Sequence, residues 1–239
     1  MTNTKNNLIN KIKNCIERCA WTEEIPCLDL GLIGYDDAYE IQMHLFEKVR
    51  TEQIHGLILL LEHYPVITIG NSGKSENLLA SKESLEQQCI ELVQSTRGGD
   101  ITFHGPGQLV CYPIFNLTHL GKDLTLFVWN LEQVIIDFLN QYNIKGTRIN
   151  KIRGVFTGNN KIASIGLHVK KWVTIHGFAL NVNVDLNYFN NIIACGLKDY
   201  NPTSMQKILN KNIPIGDVKE QVLFSFCKIF KIKSSLFIF

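Results

Sequence analysis

Residues 97–108 place the strongest limits on how this chain folds, because they contain four glycines and one proline in twelve positions. Glycine adopts positive φ and lets a backbone approach a ligand closely, and the proline after Gly105 fixes a turn. Such a segment is typical of a shaped loop between strands. Arg97 and His104 bracket the glycines, and polar side chains on a conformationally costly loop indicate a binding surface. The alternative is a glycine-rich connection without a binding role.

Hydrophobic periodicity predicts helices and strands along the whole chain, without an internal repeat or a low-complexity linker. Asp123 is the predicted N-cap of the clearest helix, which runs to Tyr142 with apolar residues at i, i+3 and i+4. Further helical segments are predicted after Asp36 and Asp37, and over residues 84–88, 185–189 and 217–231. Strands are predicted over residues 27–30, 57–61, 66–69, 92–95, 109–115, 152–157, 161–166, 168–173 and 175–182. Strands interspersed with helices, rather than in strict alternation, favour an α+β fold in a single domain over residues 1–239.

Composition excludes several classes of protein. With 45% hydrophobic and 19% charged residues, the chain can bury a substantial core. A net charge of +2 is too small to indicate nucleic acid as a partner. The longest strongly apolar run, residues 57–61, has the length of a strand, so we expect no contact with a membrane interior.

Seven cysteines form an odd set without metal-type pairs, which favours a reducing compartment, and we expect a cytoplasmic protein. Cys15 and Cys19 are spaced like two ligands on a helix, yet no histidine pair accompanies them at finger spacing, so we expect ordinary thiols. Residues 1–16 lack acidic side chains and faintly resemble an organelle presequence. They contain no arginine, and an amphipathic N-terminal helix is the preferred interpretation.

Three motifs follow one another along the chain. They are RGGDITFHGPGQLVCYPI at residues 97–114, KIASIG with TIHGFALNV at residues 161–166 and 174–182, and ACG with PTS at residues 194–196 and 202–204. In order and spacing they resemble the lipoyl(octanoyl) transferases, acyltransferases of protein lipoylation, and the resemblance covers roughly residues 27–210. One departure concerns Asn71, which follows Gly70 where the family usually has an arginine. Any contact made by that arginine is therefore left open.

The resemblance implies the fold of lipoate and biotin protein ligases, a mostly antiparallel mixed sheet flanked by helices. It also implies a catalytic pair in which Cys195 accepts the acyl group and Lys161 moves protons. The substrate-binding residues that it implies are Arg97, Gly98, Gly99, Asp100, Ile101, Thr102, Phe103, His104, Ser164, Ile165, Gly166, Gly177, Phe178 and Ala179.

Without the resemblance, both catalytic candidates have ordinary interpretations. Cys195 follows an apolar run and would be a small buried hydrophobic residue, and Lys161 follows a turn at residues 158–160 and would be a solvated hairpin charge. Together they suit acyl transfer between thioesters and amines. A free thiol is only about 3% thiolate at neutral pH, and a neighbouring ammonium raises that fraction.

The resemblance implies transfer of an octanoyl group from octanoyl-acyl carrier protein to a lysine of lipoyl domains, through an acyl-Cys195 thioester. The implied acceptors are the lipoyl domains of 2-oxoacid dehydrogenase E2 subunits and the glycine cleavage H protein. No cofactor or metal is implied, and we expect a monomer. The alternatives are a lipoate or biotin ligase of the same fold, a cysteine hydrolase using His104 or His176, and a catalytically silent acyl-binding module. For both histidines a structural or substrate-shaping role is preferred.

Overall fold

The computed structural model describes residues 24–197 and 199–238, together with Ile12. The helices are α1 (Tyr35–Arg50), α2 (Lys82–Gln87), α3 (Leu124–Gln141), α4 (Met205–Leu209) and α5 (Ile215–Phe230). The strands are β1 (Ile25–Ile33), β2 (Gly56–His63), β3 (Val66–Ile69), β4 (Glu91–Gln94), β5 (Ile101–His104), β6 (Gln108–Phe115), β7 (Thr147–Ile149), β8 (Ile152–Thr157), β9 (Asn160–Lys170), β10 (Val173–Asn181), β11 (Asn201–Pro202) and β12 (Ser234–Ile238). Apart from Ile12, which is buried, the predicted helix over residues 1–16 lies outside the described residues, as do Cys15 and Cys19.

A large sheet runs through the described part of the chain in the order β12-β1-β2-β6-β10-β9-β8-β7, with β11 added to β9. In this order each strand from β2 onward pairs antiparallel with the next, through β6, β10, β9 and β8 to β7. The strand β1 pairs parallel with both of its neighbours, β12 and β2. A second sheet has the order β4-β3-β5. The predicted α+β fold with a mostly antiparallel mixed sheet is confirmed.

Alternate residues of β2 show how helices cover the large sheet on both faces. Ile58 and Leu60 belong to the core cluster that contains the apolar faces of α3 and α5. Leu57, Leu59 and Leu61 belong to the cluster that contains the apolar face of α1. Because successive side chains of a strand point to opposite faces, a continuous apolar run predicts a strand buried on both sides.

The helix α3 matches its prediction closely, since its signals are local. Asp123 is the N-cap, and its carboxylate accepts a hydrogen bond from Leu126 N at 2.9 Å. Phe127, Leu131 and Phe138 are buried along one face. This helix covers the sheet face opposite α1 and closes the core on that side.

Two strand predictions were wrong. The predicted separation of residues 161–166 from residues 168–173 is absent, because β9 continues to Lys170 and turns at Lys171 and Trp172, which have φ values of 50° and 65°. The segment predicted as a loop contains β5, which pairs with β3. At residues 97–108 glycine content predicted an irregular backbone, whereas pairing with a distant strand determines the structure.

Candidate active site

A cavity of about 230 Å³ lies where β9 and β10 meet the glycine-rich segment after β4 and a short turn at Ala194–Gly196. Every site residue named from the sequence lines it, except Ile101 and Phe103. The apolar part of the cavity wall includes Ile152, Ile165 and Leu197. An apolar cavity with a few polar groups is the usual form of a small-molecule site.

Ile101 and Phe103 point away from the cavity because side chains alternate along β5. Both are fully buried in a cluster with Phe189 that joins the small sheet to the segment before Cys195. Phe103 also stacks on Tyr188 with ring centroids 4.7 Å apart. These two residues therefore support the site from behind and do not line it.

Lys161 and Cys195 meet at the cavity wall. The Lys161 Nζ donates a hydrogen bond to Cys195 Sγ at 3.2 Å, and Ser164 Oγ lies 3.9 Å from the same sulfur. Lys161 is only 9% exposed, and its Nζ lies 5.6 Å from the ring centroid of Phe156. The contact places a proton-carrying amine directly beside the sulfur.

An irregularity in β9 turns Lys161 toward this sulfur. Val155 of β8 pairs with Ala163, but the next residue, Phe156, pairs with Lys161, so β9 carries one extra residue at Ile162. In a regular strand Lys161 and Ser164 would face opposite sides of the sheet. The bulge brings both to Cys195, and bulges commonly re-aim side chains next to active sites.

Gly154 of β8 provides the space for the Lys161 stem. Its φ is +124°, and a Cβ there would meet the carbonyl oxygen of Ala163 and lie 2.8 Å from Cε of Lys161. The Gly154 N–H donates to Glu132 Oε1 at 3.1 Å, and Glu132 Oε2 accepts from Arg148 Nε at 3.0 Å. The helix α3 thus holds the strand against which Lys161 lies.

Cys195 has a left-handed backbone, with φ of 57° and ψ of 17°. Its turn is closed by Gly196 N donating to Ile193 O at 2.9 Å, and Ile193 N donates to Asn77 O at 2.8 Å. Asn77 Nδ2 in turn donates to Asp100 Oδ2 at 2.6 Å. Non-glycine residues in this conformation are concentrated at functional sites, where surrounding bonds maintain them.

Arg97 is a buried cation on the cavity wall. Its Nε donates to Thr68 Oγ1 at 2.9 Å, and its Nη1 donates to Gly98 O at 3.1 Å. Burial lowers the pKa of Arg97, and nearby Cys195 partly offsets this effect. Asn71 stands where the resemblance leads to the expectation of an arginine. Its Nδ2 donates to Thr96 O at 2.8 Å and so restrains the backbone directly before Arg97.

The histidines of the sequence motifs bond elsewhere. His104 Nδ1 lies 2.7 Å from Gln108 Oε1, and His176 Nε2 lies 2.9 Å from Thr96 Oγ1. Burial lowers the pKa of His176 to about 3 and that of His104 well below its usual range. Among the described residues, the hydrogen-bond partners of Cys195 Sγ are Lys161 and Ser164. The arrangement of a cysteine–histidine hydrolase is therefore not formed here.

Sequence reasoning missed four polar residues that line the cavity. Tyr35 bonds to Ser95 Oγ at 2.6 Å, and Tyr112 bonds to His63 Nε2 at 2.7 Å. Lys151 and Arg153 lie at the start of β8 and are exposed. Tyr112 belongs to the first motif, and a run of basic residues around Lys151 was the available signal for the other pair.

Two further observations concern residues 24–197 and 199–238. No helix there combines the length and apolar character needed to cross a bilayer. No three histidine, cysteine or acidic side chains of this part are grouped as they would be around a metal ion.

Comparison with known proteins agrees with the motifs. Residues 34–227 match the lipoyl protein ligase A/B catalytic domain. An octanoyltransferase of Caldicellulosiruptor saccharolyticus is 47% identical over 206 residues, which are 85% of this chain and 88% of the relative. That of Thermoanaerobacter pseudethanolicus is 48% identical over 206 residues, 86% of this chain and 90% of the relative.

One solved structure with the same fold is a bipartite lipoate protein ligase from Thermoplasma acidophilum, described together with its E2 lipoyl domain. The match covers 90% of this chain and 87% of that chain, with a TM-score of 0.69 and 14% identity, so it concerns the fold alone. The relatives and the matched domain together determine the family. The chain belongs to the lipoyl protein ligase A/B catalytic domain family and, within it, to the octanoyltransferases.

Proposed function

We propose that this chain moves an octanoyl group from octanoyl-acyl carrier protein to a lysine of lipoyl domains, through a thioester on Cys195. The observation that carries the proposal is the 3.2 Å contact between Lys161 Nζ and Cys195 Sγ on the wall of an apolar cavity. The pair supplies a nucleophile and a proton carrier, the two groups that thioester exchange requires.

In the first half-reaction the Cys195 thiolate attacks the carbonyl carbon of the donor thioester. A new carbon–sulfur bond forms, and the bond to the donor sulfur breaks. The Lys161 ammonium gives its proton to the departing thiolate, which leaves as a thiol. Lys161 is then a neutral amine beside the acyl-Cys195 thioester.

In the second half-reaction the amine of the acceptor lysine attacks this thioester. Neutral Lys161 takes the proton that the attacking nitrogen loses, the amide bond forms, and Cys195 leaves as a thiolate. The pair returns to its starting state. Since the donor bond is already activated, the cycle needs no ATP, metal or cofactor.

The walls of the cavity suit an alkyl chain. Ile165, Phe178 and Ala179 line it on the sheet side, and Val110 contributes from β6. Each methylene removed from water contributes roughly 0.8 kcal/mol, so a medium-length acyl chain gains substantial binding energy.

The acceptors in this proposal are the lipoyl domains of 2-oxoacid dehydrogenase E2 subunits and the glycine cleavage H protein. The E2 lipoyl domain described with the archaeal ligase of the same fold supports this kind of acceptor. We place the reaction in a reducing compartment, the cytoplasm, because Cys195 must remain a reduced thiol to act. In this proposal the protein acts as a monomer.

The test is mass spectrometry of the purified protein mixed with octanoyl-acyl carrier protein, without nucleotide. We expect the mass of one octanoyl group on Cys195, and its transfer to an added lipoyl domain. Cys195→Ala should give no adduct and no transfer, whereas the control Cys89→Ala, at an exposed thiol, should behave like the unmodified protein. Strict dependence on ATP, or transfer by Cys195→Ala, would contradict the proposal.

A further inference from the structure

The segment that carries β7 and the start of β8 is strongly basic. Residues 145–153 contain Lys145, Arg148, Lys151 and Arg153 and no acidic residue, in a chain whose net charge is only +2. The strand β7 is the last strand in the order of the large sheet, so this segment lies at an edge. Its charge is therefore local, and it adjoins the cavity that holds Cys195.

Not all of these cations are available to a ligand. Arg148 donates to Glu132 and to the backbone oxygen of Trp129, and its guanidinium lies 4.2 Å from the Trp129 ring centroid. Lys151 and Arg153 are exposed, line the cavity, and have no ion-pair partner within residues 24–197 and 199–238.

The cavity wall as a whole also carries more positive than negative side chains. Its described cations are Arg97, Lys151, Arg153 and Lys161, against one carboxylate, that of Asp100. Asp100 already accepts hydrogen bonds from Asn77 Nδ2, from Lys74 N and from its neighbour Ile101 N. A cleft with an excess of positive charge concentrates negatively charged ligands.

We infer that Lys151 and Arg153 bind the phosphodiester of the donor's phosphopantetheine arm, an inference that rests on the proposed function. Acyl carrier proteins present their thioester at the end of such an arm, whose phosphate is its one anionic group. With the phosphate held by the exposed pair, the arm enters the cavity and directs the thioester toward Cys195. Arginine and lysine are the side chains that bind phosphate in proteins.

The geometry favours the donor over the acceptor for this role. The reacting group of the acceptor is a lysine amine, which carries a positive charge until it loses a proton, and two unpaired cations repel it. The donor arm has the opposite charge. The exposed pair therefore discriminates between the two substrates that use one cavity in turn.

The test compares two small donors that differ only in the phosphate, octanoyl-4′-phosphopantetheine and octanoyl-pantetheine, with a lipoyl domain as acceptor. We expect kcat/KM about tenfold higher for the phosphorylated donor, the effect of two exposed ion pairs. The ratio should fall toward one in the double variant Lys151→Ala, Arg153→Ala, and in the unmodified protein at high salt. The control, Lys170→Ala with Lys171→Ala, removes two exposed charges at the other end of β9 and should keep the ratio.

Equal kcat/KM for the two donors in the unmodified protein would overturn the inference. So would a double variant that keeps the preference, or one that raises only the KM of the lipoyl domain. Acylation of Cys195 by octanoyl-pantetheine, followed by mass spectrometry, tests the proposed function without involving the phosphate. Absence of acylation would contradict the proposed function, whereas equal rates for the two donors would contradict only the role of Lys151 and Arg153.

Discussion

Gly154 has no side chain at the point where the stem of Lys161 crosses β8. A Cβ there would lie 2.8 Å from Lys161 Cε and 3.4 Å from Nζ. The position of Lys161 Nζ beside Cys195 therefore depends on the absence of a side chain at Gly154. Gly158, in the following turn, also has positive φ, but a Cβ there would meet nothing within 4 Å.

Gly154→Ala should displace Lys161 from Cys195 and lower kcat for octanoyl transfer by about 10²-fold, because small displacements of catalytic groups have effects of this size. The KM of the donor should change less than kcat, since every side chain that lines the cavity is kept. Steady-state kinetics measures both constants. Gly158→Ala should keep kcat, although it lowers stability by roughly 1 kcal/mol through its left-handed backbone; equal loss of kcat in the two variants would contradict this account.

At the scale of the element, α5 carries two ion pairs in different surroundings. Lys219 Nζ lies 2.7 Å from Asp29 Oδ1 of β1, with both side chains almost fully buried. Lys228 Nζ lies 2.9 Å from Asp137 Oδ1 of α3, and the Lys228 side chain is 59% exposed. The same helix thus offers a buried pair and a matched exposed pair.

Lys219→Met should lower the free energy of unfolding by about 3–5 kcal/mol, because it leaves the Asp29 carboxylate buried without its partner. Lys228→Met should change it by less than about 1 kcal/mol, since water replaces an exposed partner readily. Urea denaturation followed by circular dichroism measures both. If the two substitutions proved equally harmful, burial would not be the deciding variable.

Elements differ in how well the sequence predicts them. Asp123 and the apolar periodicity after it lie within one segment, so α3 was predicted to within a residue at each end. The bulge at Ile162 depends on the pairing of β8 with β9 and on the packing of both Ile162 and Ala163 in one core. No pattern within the local sequence predicts it. The motifs named residues that the structure brings together around one cavity, whereas the backbone irregularity that turns Lys161 toward Cys195 could be seen only in the structure.

At the scale of the whole molecule, three buried histidines lie between the two sheets and α1. His63 and His176 are 0% and 2% exposed, and burial lowers their pKa values to about 4 and about 3. Burial lowers the pKa of His104 well below its usual range. The folded state therefore holds all three neutral at a pH where the unfolded chain, with histidine pKa near 6.5, binds protons.

The contribution of these three histidines to the free energy of unfolding should therefore be fully present above about pH 6.5. It should be lost progressively as the pH falls from there toward 4. Each buried histidine contributes a slope of roughly 1.4 kcal/mol per pH unit, because the unfolded chain binds the extra proton. Urea denaturation between pH 7.5 and 5 measures the slope. His63→Gln should reduce it by about one histidine's share, and the exposed His55→Gln should leave it unchanged; an unaltered slope in His63→Gln would show that other groups cause the acid sensitivity.

The pairing of β1 with β12 leaves one edge of β1 uncovered in the nascent chain during translation. Ser234 Oγ donates to Ile25 O across 209 residues, so β1 meets its outer neighbour only after nearly all of the described sequence has been made. At about 5–20 residues per second, a ribosome needs roughly 10–40 s to add those residues. Until then the outer edge of β1 presents unpaired amides and carbonyls, the template on which strands of other chains assemble. A chaperone that shielded this edge during translation would therefore raise the yield of active protein without changing the final stability of the fold.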